Sequence, residues 1–304
     1  MSLSAQESLL FELLFDADTR ARFAKGGVDA LERDELGPEA RADFAAIRVD
    51  ALELDARMRR SMVLSQLCVQ YTLTFSVLSS TPGGFDVLDA LVDVRTMRTP
   101  PIERPVVFGR RLREELAEDA VELAQLGCQA VLEAELGMCW TAASIRCEML
   151  DLGQAPRPPA TLAEDWLRAP LRIPSFVSAA LLPVSRQALR EALCPVPDRA
   201  LYRHLAQSPT SADEVNALFA RGEPSLLVAR AEIDRRSHCE PTASHRVVEV
   251  SEGFGELLGH FNGERFIADM LDGLRAAGGS EAILVGVRSG FEALVAAGML
   301  EAAR

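Results

Sequence analysis

The sequence predicts a mainly α protein: an N-terminal helical bundle followed by a C-terminal α+β unit of three strands and three helices. Three observations carry this expectation. Alanine, leucine and arginine dominate while aromatics make up only 6% of the 304 residues, a composition that favours helix. Apolar residues recur at helical spacing through the first half, whereas β-branched alternation is confined to the last third. Between them the stretch Gly153-Gln154-Ala155-Pro156-Arg157-Pro158-Pro159 is short, proline-rich and semi-rigid. The expected division is therefore a bundle over residues 1–152, a linker over 153–163 and a second unit over 164–304.

The bundle opens with Leu9, Leu10, Leu13 and Leu14 on an amphipathic helix, flanked by Phe11 and Phe15. Asp16 or Asp18 can cap a second short helix, ended by Gly26-Gly27. Gly37-Pro38 starts a third, since proline suits a first helical turn. Asp50 opens a long helical stretch over 51–79, and Thr81-Pro82-Gly83-Gly84 breaks it. A helix with Phe85, Leu88, Leu91 and Val92 follows, then the stiff connector at 99–105. The longest helical pattern runs over 106–150, with Gly127 and Gly137 expected to divide or bend it. Glu115, Glu118, Glu122, Glu133 and Glu135 read as a solvated face; a di-iron carboxylate site would need Glu-x-x-His elements, and no histidine precedes His204.

In the second unit, residues 171–184 are apolar with two prolines and fit either a strand or a short helix. Ser185 caps a helix, residues 194–221 are helix and loop, and residues 224–233 form a strand. Arg246-Val247-Val248-Glu249-Val250 is the next strand, with Val248 and Val250 on one face. Ser251 then has the chemistry of an N-cap, and Phe254, Leu257, Leu258 and Phe261 follow at helical spacing. Asn262-Gly263 ends that helix; a second carries Phe266, Ile267, Met270, Leu271 and Leu274. Ser280 caps a third with the apolar stripe Ile283, Leu284, Val287, Phe291, Leu294 and Val295. Strands followed by three short amphipathic helices are the skeleton of a winged-helix domain.

Charge narrows what such a domain could hold. The formal net charge is −13, and residues 245–304 alone carry nine acids against five arginines. Nucleic-acid binding draws its affinity from neutralised phosphates, and the third helix offers only Arg288 before the terminus. Six cysteines fall at no metal-ligand spacing, so they read as small buried hydrophobes and no metal site is expected. No apolar run approaches the roughly twenty residues of a membrane span, and residues 1–6 lack the pattern of a signal peptide, which points to a cytoplasmic address.

Two stretches resemble known families. The pattern LLFELLFDADTRARFAKG…DELGPEARADFAAIRVDAL is similar to the small helical module typified by the small subunit of extradiol protocatechuate-type dioxygenases, in which iron is held by the other subunit. The run V-E-V-S-E-G-F…F-N-G-E-R…G-F-E-A-L-V-A-A-G-M-L-E, with its turn from Phe261 to Arg265, resembles the RiPP recognition element. That module binds the leader segments of ribosomally made, post-translationally modified peptides. A helical domain joined to such an element is similar to the partner proteins of multinuclear non-haem iron oxidases. The chain departs from the simplest recognition elements in an insertion of roughly forty residues between its first two candidate strands.

The resemblance implies a non-catalytic partner protein, with no cofactor of its own and iron in the partner enzyme. It would bind a leader peptide as an added strand and assemble with the oxidase as a heterodimer or larger. Carried onto this chain, Arg246, Val247, Val248, Glu249 and Val250 would pair with the peptide, while Leu284, Val287, Arg288 and Phe291 would line the adjoining groove. Arg288 would anchor a leader carboxylate. Leu284, Val287 and Phe291 have a plainer alternative as core. Two other functions stay open at this point: a winged-helix transcription regulator, disfavoured by acidity, and an enzyme with a helical active-site domain. No nucleophile–base pair, phosphate loop or metal set is legible, so no catalytic residue is assigned.

Overall fold

Helix α1 (Leu3–Phe15) stops at Asp16, whose carboxylate accepts the backbone N–H groups of Asp18 and Thr19 and so starts α2 (Ala17–Gly26). The computed structural model describes residues 3–31, 36–118, 123–152, 166–234, 242–264 and 266–303. The expected linker at 153–163, Glu122 and Arg265 lie outside them. Gly37-Pro38 opens α3 (Pro38–Ala45) as the sequence predicts. The stretch expected as one helix over 51–79 is two, α4 (Val49–Gln70) and α5 (Thr72–Ser79), bent by 114° at Tyr71.

Tyr71 causes the bend by being anchored elsewhere. Its hydroxyl donates to the carbonyl of Pro105 at 2.6 Å, and its ring is fully buried. Helices α6 (Gly84–Ala90) and α7 (Val94–Arg98) lead to α8 (Arg104–Glu118), which lies against that ring. A Cβ at Gly109 of α8 would stand 2.2 Å from the Tyr71 oxygen, so only glycine permits the approach.

Helix α9 (Leu123–Leu152) is the spine. Gly127 and Gly137 do not divide it; both sit inside it, where side chains from later elements press close. A Cβ at Gly127 would meet the Phe219 ring at 2.4 Å, and one at Gly137 would meet Ser178 at 3.1 Å. Glu135 also corrects the expectation of a solvated acidic face, for it is only 5% exposed. Helix α5 is buried on every side, and its N-cap residue Tyr71 supplies no side-chain acceptor. Glu135 supplies one from α9. Its carboxylate accepts the backbone N–H of Leu73 and of Thr74, each at 2.9 Å, and the hydroxyls of Thr72 and Thr74 at 3.2 and 2.7 Å. A carboxylate at a helix N-terminus satisfies orphan donors and complements the dipole.

Next come β1 (Leu171–Arg172), β2 (Val177–Leu182), α10 (Arg186–Leu193), α11 (Asp198–Gln207), α12 (Ala212–Arg221), β3 (Ser225–Asp234) and β4 (Thr242–Ser251). The chain ends with α13 (Phe254–Leu258), α14 (Ile267–Ala276), α15 (Glu281–Ala296) and β5 (Glu301–Ala302). The apolar run at 171–184 is therefore strand. Strands β2, β3 and β4 form an antiparallel sheet in that order, and β1 pairs with β5. Residues 183–224, the expected insertion, hold α10, α11 and α12. Leu189, Leu201, Val215 and Phe219 from these helices enter the same apolar cluster as α1 to α9.

Strand β3 is buried on both faces. Leu182 and Leu227 point into the bundle cluster with α9, while Leu226 and Val228 join Phe254, Phe261, Ile267, Phe291 and Leu294 in a second cluster. This two-sided burial is why β3 reads as the almost unbroken apolar run Leu226-Leu227-Val228-Ala229. Among the described residues no single helix is long and apolar enough to cross a membrane.

Replacing Glu135 with alanine leaves buried N–H groups on α5 without an acceptor, and a destabilisation of about 3 kcal/mol is expected in urea or guanidinium titrations. Burial raises the Glu135 carboxyl above its ordinary 4.5, against the opposing pull of the Leu73 and Thr74 donors. The folded chain thus holds this proton more tightly than the unfolded one, and the native state loses that part of its advantage as pH rises above about 4.5. The stability gap between wild type and Glu135→Gln should accordingly narrow as pH is raised.

Candidate functional site

Strand β4 follows from its residue types. Thr242, Val247, Val248 and Val250 are β-branched, and period-2 alternation gives both faces a buried partner. On one face His245 donates through Nε2–H to the carbonyl of Met138 in α9, at 2.9 Å, with Thr141 Oγ1 at 3.3 Å. Val247 packs on the bundle cluster, and Glu249 accepts the backbone N–H of Arg186 at 2.5 Å, at the start of α10. On the other face Val248 and Val250 pack together into the C-terminal cluster, sharing a face as the sequence predicts. Arg246 lies exposed, 3.4 Å from Glu232 of β3.

What remains uncommitted is the backbone edge. The pairing of β4 with β3 runs without interruption from Thr242 opposite Asp234 to Ser251 opposite Ser225. Among the described residues no strand pairs with the opposite edge of β4. Such an edge presents a row of N–H and C=O groups that another chain can join.

Helix α15 lies beside β4, begun by Ser280, whose hydroxyl accepts the N–H of Ile283 at 3.4 Å. Its residues divide differently from the expected groove. Leu284 and Phe291 are core, at 5% and 0% exposure, and Phe291 stacks edge-on against Phe254 and Phe261 at 5.1 and 5.2 Å. Val287 is half-buried against the same cluster. Arg288 is exposed, with its Nε 3.0 Å from Glu292 one turn on. Ile283, expected in the apolar stripe, is 54% exposed. Ser251 does not cap α13: it closes β4, and Gly253 stands at the cap with no side-chain bond. Strand and helix do lie side by side, but two of the expected groove walls fill the core instead.

Two features beside the sheet leave no signal in the sequence pattern. One is a cavity of about 260 Å³ at its N-terminal end, where Ala243 meets α4, α9 and the start of α8. The other is a groove of about 480 Å³ at the far edge of the sheet, where Leu181 of β2 faces Trp140, itself 50% exposed and covered by the Arg110 guanidinium at 4.6 Å. No protein-family model, curated protein or solved structure matches the chain.

Burial holds the His245 imidazole below its ordinary 6.5, aided by the nearby Arg186 cation and opposed by the Met138 carbonyl. The unfolded chain then takes up the proton first, so folding stability should fall as pH drops below about 6.5. Thermal melts between pH 7.5 and 5.5 should show this slope, and His245→Gln should flatten it.

Proposed function

We propose that this chain is a non-catalytic partner protein that binds the leader of a ribosomally made precursor peptide as an added strand on β4 and presents it to a peptide-modifying oxidase. The observation that carries the reading is the open edge of β4, ten residues long, in a three-stranded antiparallel sheet followed by three short helices. That order suits a winged-helix recognition element in which β2, β3 and β4 are its strands and α13, α14 and α15 its helices.

Strand addition takes affinity from main-chain hydrogen bonds, and specificity from pockets beside alternate side chains. Ser244, Arg246 and Ser251 are exposed; the other β4 side chains from 245 to 250 are already engaged by α9, α10 and the C-terminal cluster, so the edge offers mainly backbone. In this reading Arg246, Val247, Val248, Glu249 and Val250 contribute N–H and C=O groups, while Val287 and Arg288 rim the adjoining face of α15. A nucleic-acid role has less support, since Arg288 is neutralised by Glu292 on the helix that would enter a groove.

The bundle carries a surface suited to a protein partner. Leu54, Met58 and Met62 stand four residues apart on α4 and are 57%, 57% and 61% exposed. That spacing puts them in one row along the helix. A continuous exposed apolar row is unusual on a monomer and fits an interface, here with the iron-containing oxidase.

Successive β4 residues direct their N–H groups alternately towards β3 and towards the open edge. Proline at Arg246 and at Val247 should therefore behave oppositely. One of the two should lower the melting temperature by breaking a β3 bond; the other should leave folding intact and abolish peptide binding, as read by fluorescence anisotropy. Binding that survives both would end the strand-addition reading. Met58→Glu with Met62→Glu should remove association with the oxidase in size-exclusion chromatography while sparing peptide affinity.

A further inference from the structure

The cavity at the N-terminal end of β4 carries an unspent positive charge. It is lined by Gln66 and Gln70 of α4, by Cys139, Ala142, Ala143 and Arg146 of α9, by Arg104 of α8, and by Ala243 of β4 among others. Among the described residues no Asp or Glu lines it. Although the chain has 45 acids against 32 Lys and Arg, neither Arg104 nor Arg146 forms an ion pair among the described residues. The Nε atoms of both are buried and lack a hydrogen-bond partner, whereas Arg104 Nη2 reaches only the carbonyls of Met97 and Thr99 at 3.3 Å each. Cys139 adds no competing anion, because burial pushes its thiol up to about 12. Both side chains are half-buried, and a guanidinium whose buried Nε has no partner is suited to a carboxylate or phosphate, often in bidentate fashion.

Position tells what kind of anion this is. Ala243 belongs to the same β4 face as His245, Val247 and Glu249, the face turned towards α9. A strand laid along the open edge presents every second side chain to that face, and the one level with Ala243 lies over the cavity. We infer that Arg104 and Arg146 form a specificity pocket for one Asp or Glu side chain of the peptide held on β4. Gln66 and Gln70 supply amide donors at the cavity mouth. This inference rests on the strand-addition reading, and it assigns the acidic preference to the α9 side of the sheet, not to Arg288 on α15.

The test is selection of a phage-displayed random twelve-residue peptide library on the intact chain, followed by affinities of synthetic versions of the enriched peptides. Enriched sequences should share an acidic residue at one fixed position. Its replacement by Gln or Asn should weaken binding to the wild type about 10- to 100-fold, the range for a lost charge-assisted bond. The same peptide change should cost little further against Arg146→Gln, and Arg146→Lys should retain part of the preference. Melting curves of both variants check that the fold persists. Enriched peptides that need the β4 edge but show no acidic position, or an acid preference equal in wild type and Arg146→Gln, would overturn the pocket and leave strand addition standing. No enrichment, or peptides indifferent to the β4 prolines, would bring down both.

Discussion

The structure depends on a carboxylate that the helix it serves could not provide for itself. Helix α5 is short and buried on all sides, and it begins at a residue with no capping side chain. Its first N–H groups have neither water nor a local acceptor, a condition that costs about 1–3 kcal/mol for each group left unmade. Glu135 reaches in from α9, and a further contact from Arg190 Nη1 to Thr72 Oγ1 at 3.2 Å brings α10 into the same network. This fixes α9 against the bundle at a point near its middle. The next turn of α9 receives His245 of β4 at Met138. One helix thus sets the bundle by one turn and strand β4 by the next.

That dependence also explains what can be read from the sequence. Signals contained within a few residues are legible: the caps at Asp16, Ser185 and Ser280, the proline at the start of α3, and the β-branched run of β4. The order of three strands and three helices and the inserted residues 183–224 come from such local signals. Features that need partners far along the chain are not legible. Glu135 bonds residues 61–63 positions away, yet in the sequence it looks like a surface charge among four other glutamates. Gly127 and Gly137 read as breaks because glycine weakens helices; here they admit Phe219 and Ser178. At the candidate site, pattern is enough to predict that β4 is strand and α15 helix. It does not separate groove from core at Leu284 and Phe291, because helical periodicity marks an apolar face without saying what covers it.

The cover over the sheet bears on how it could bind. Strand β3 is buried on both faces and most side chains of β2 and β4 are packed, so the two backbone edges are the larger part of what the sheet offers. The edge at β2 is six residues long and ends at Pro183, whereas β4 is ten residues long and runs without proline. Proline removes a donor and blunts an edge, so the longer strand is the better template. The acidity of residues 245–304 acts in the same direction, since backbone pairing does not require a field of positive charge.

In the proposed reading the cavity beside Ala243 would join peptide binding to enzyme docking. Its wall includes Val63, Gln66, Leu67 and Gln70, the C-terminal half of α4, while Leu54, Met58 and Met62 occupy the turns just before. At 1.5 Å rise per residue, Met62 and Gln66 are about 6 Å apart along the helix axis. A peptide that runs down β4 and is pinned at the arginines would therefore leave the sheet beside the exposed row of α4. An enzyme seated on that row would meet the peptide as it emerges. Holding the leader and delivering the segment attached to it then require no hinge between the units, because α4, α9 and β4 meet at one place.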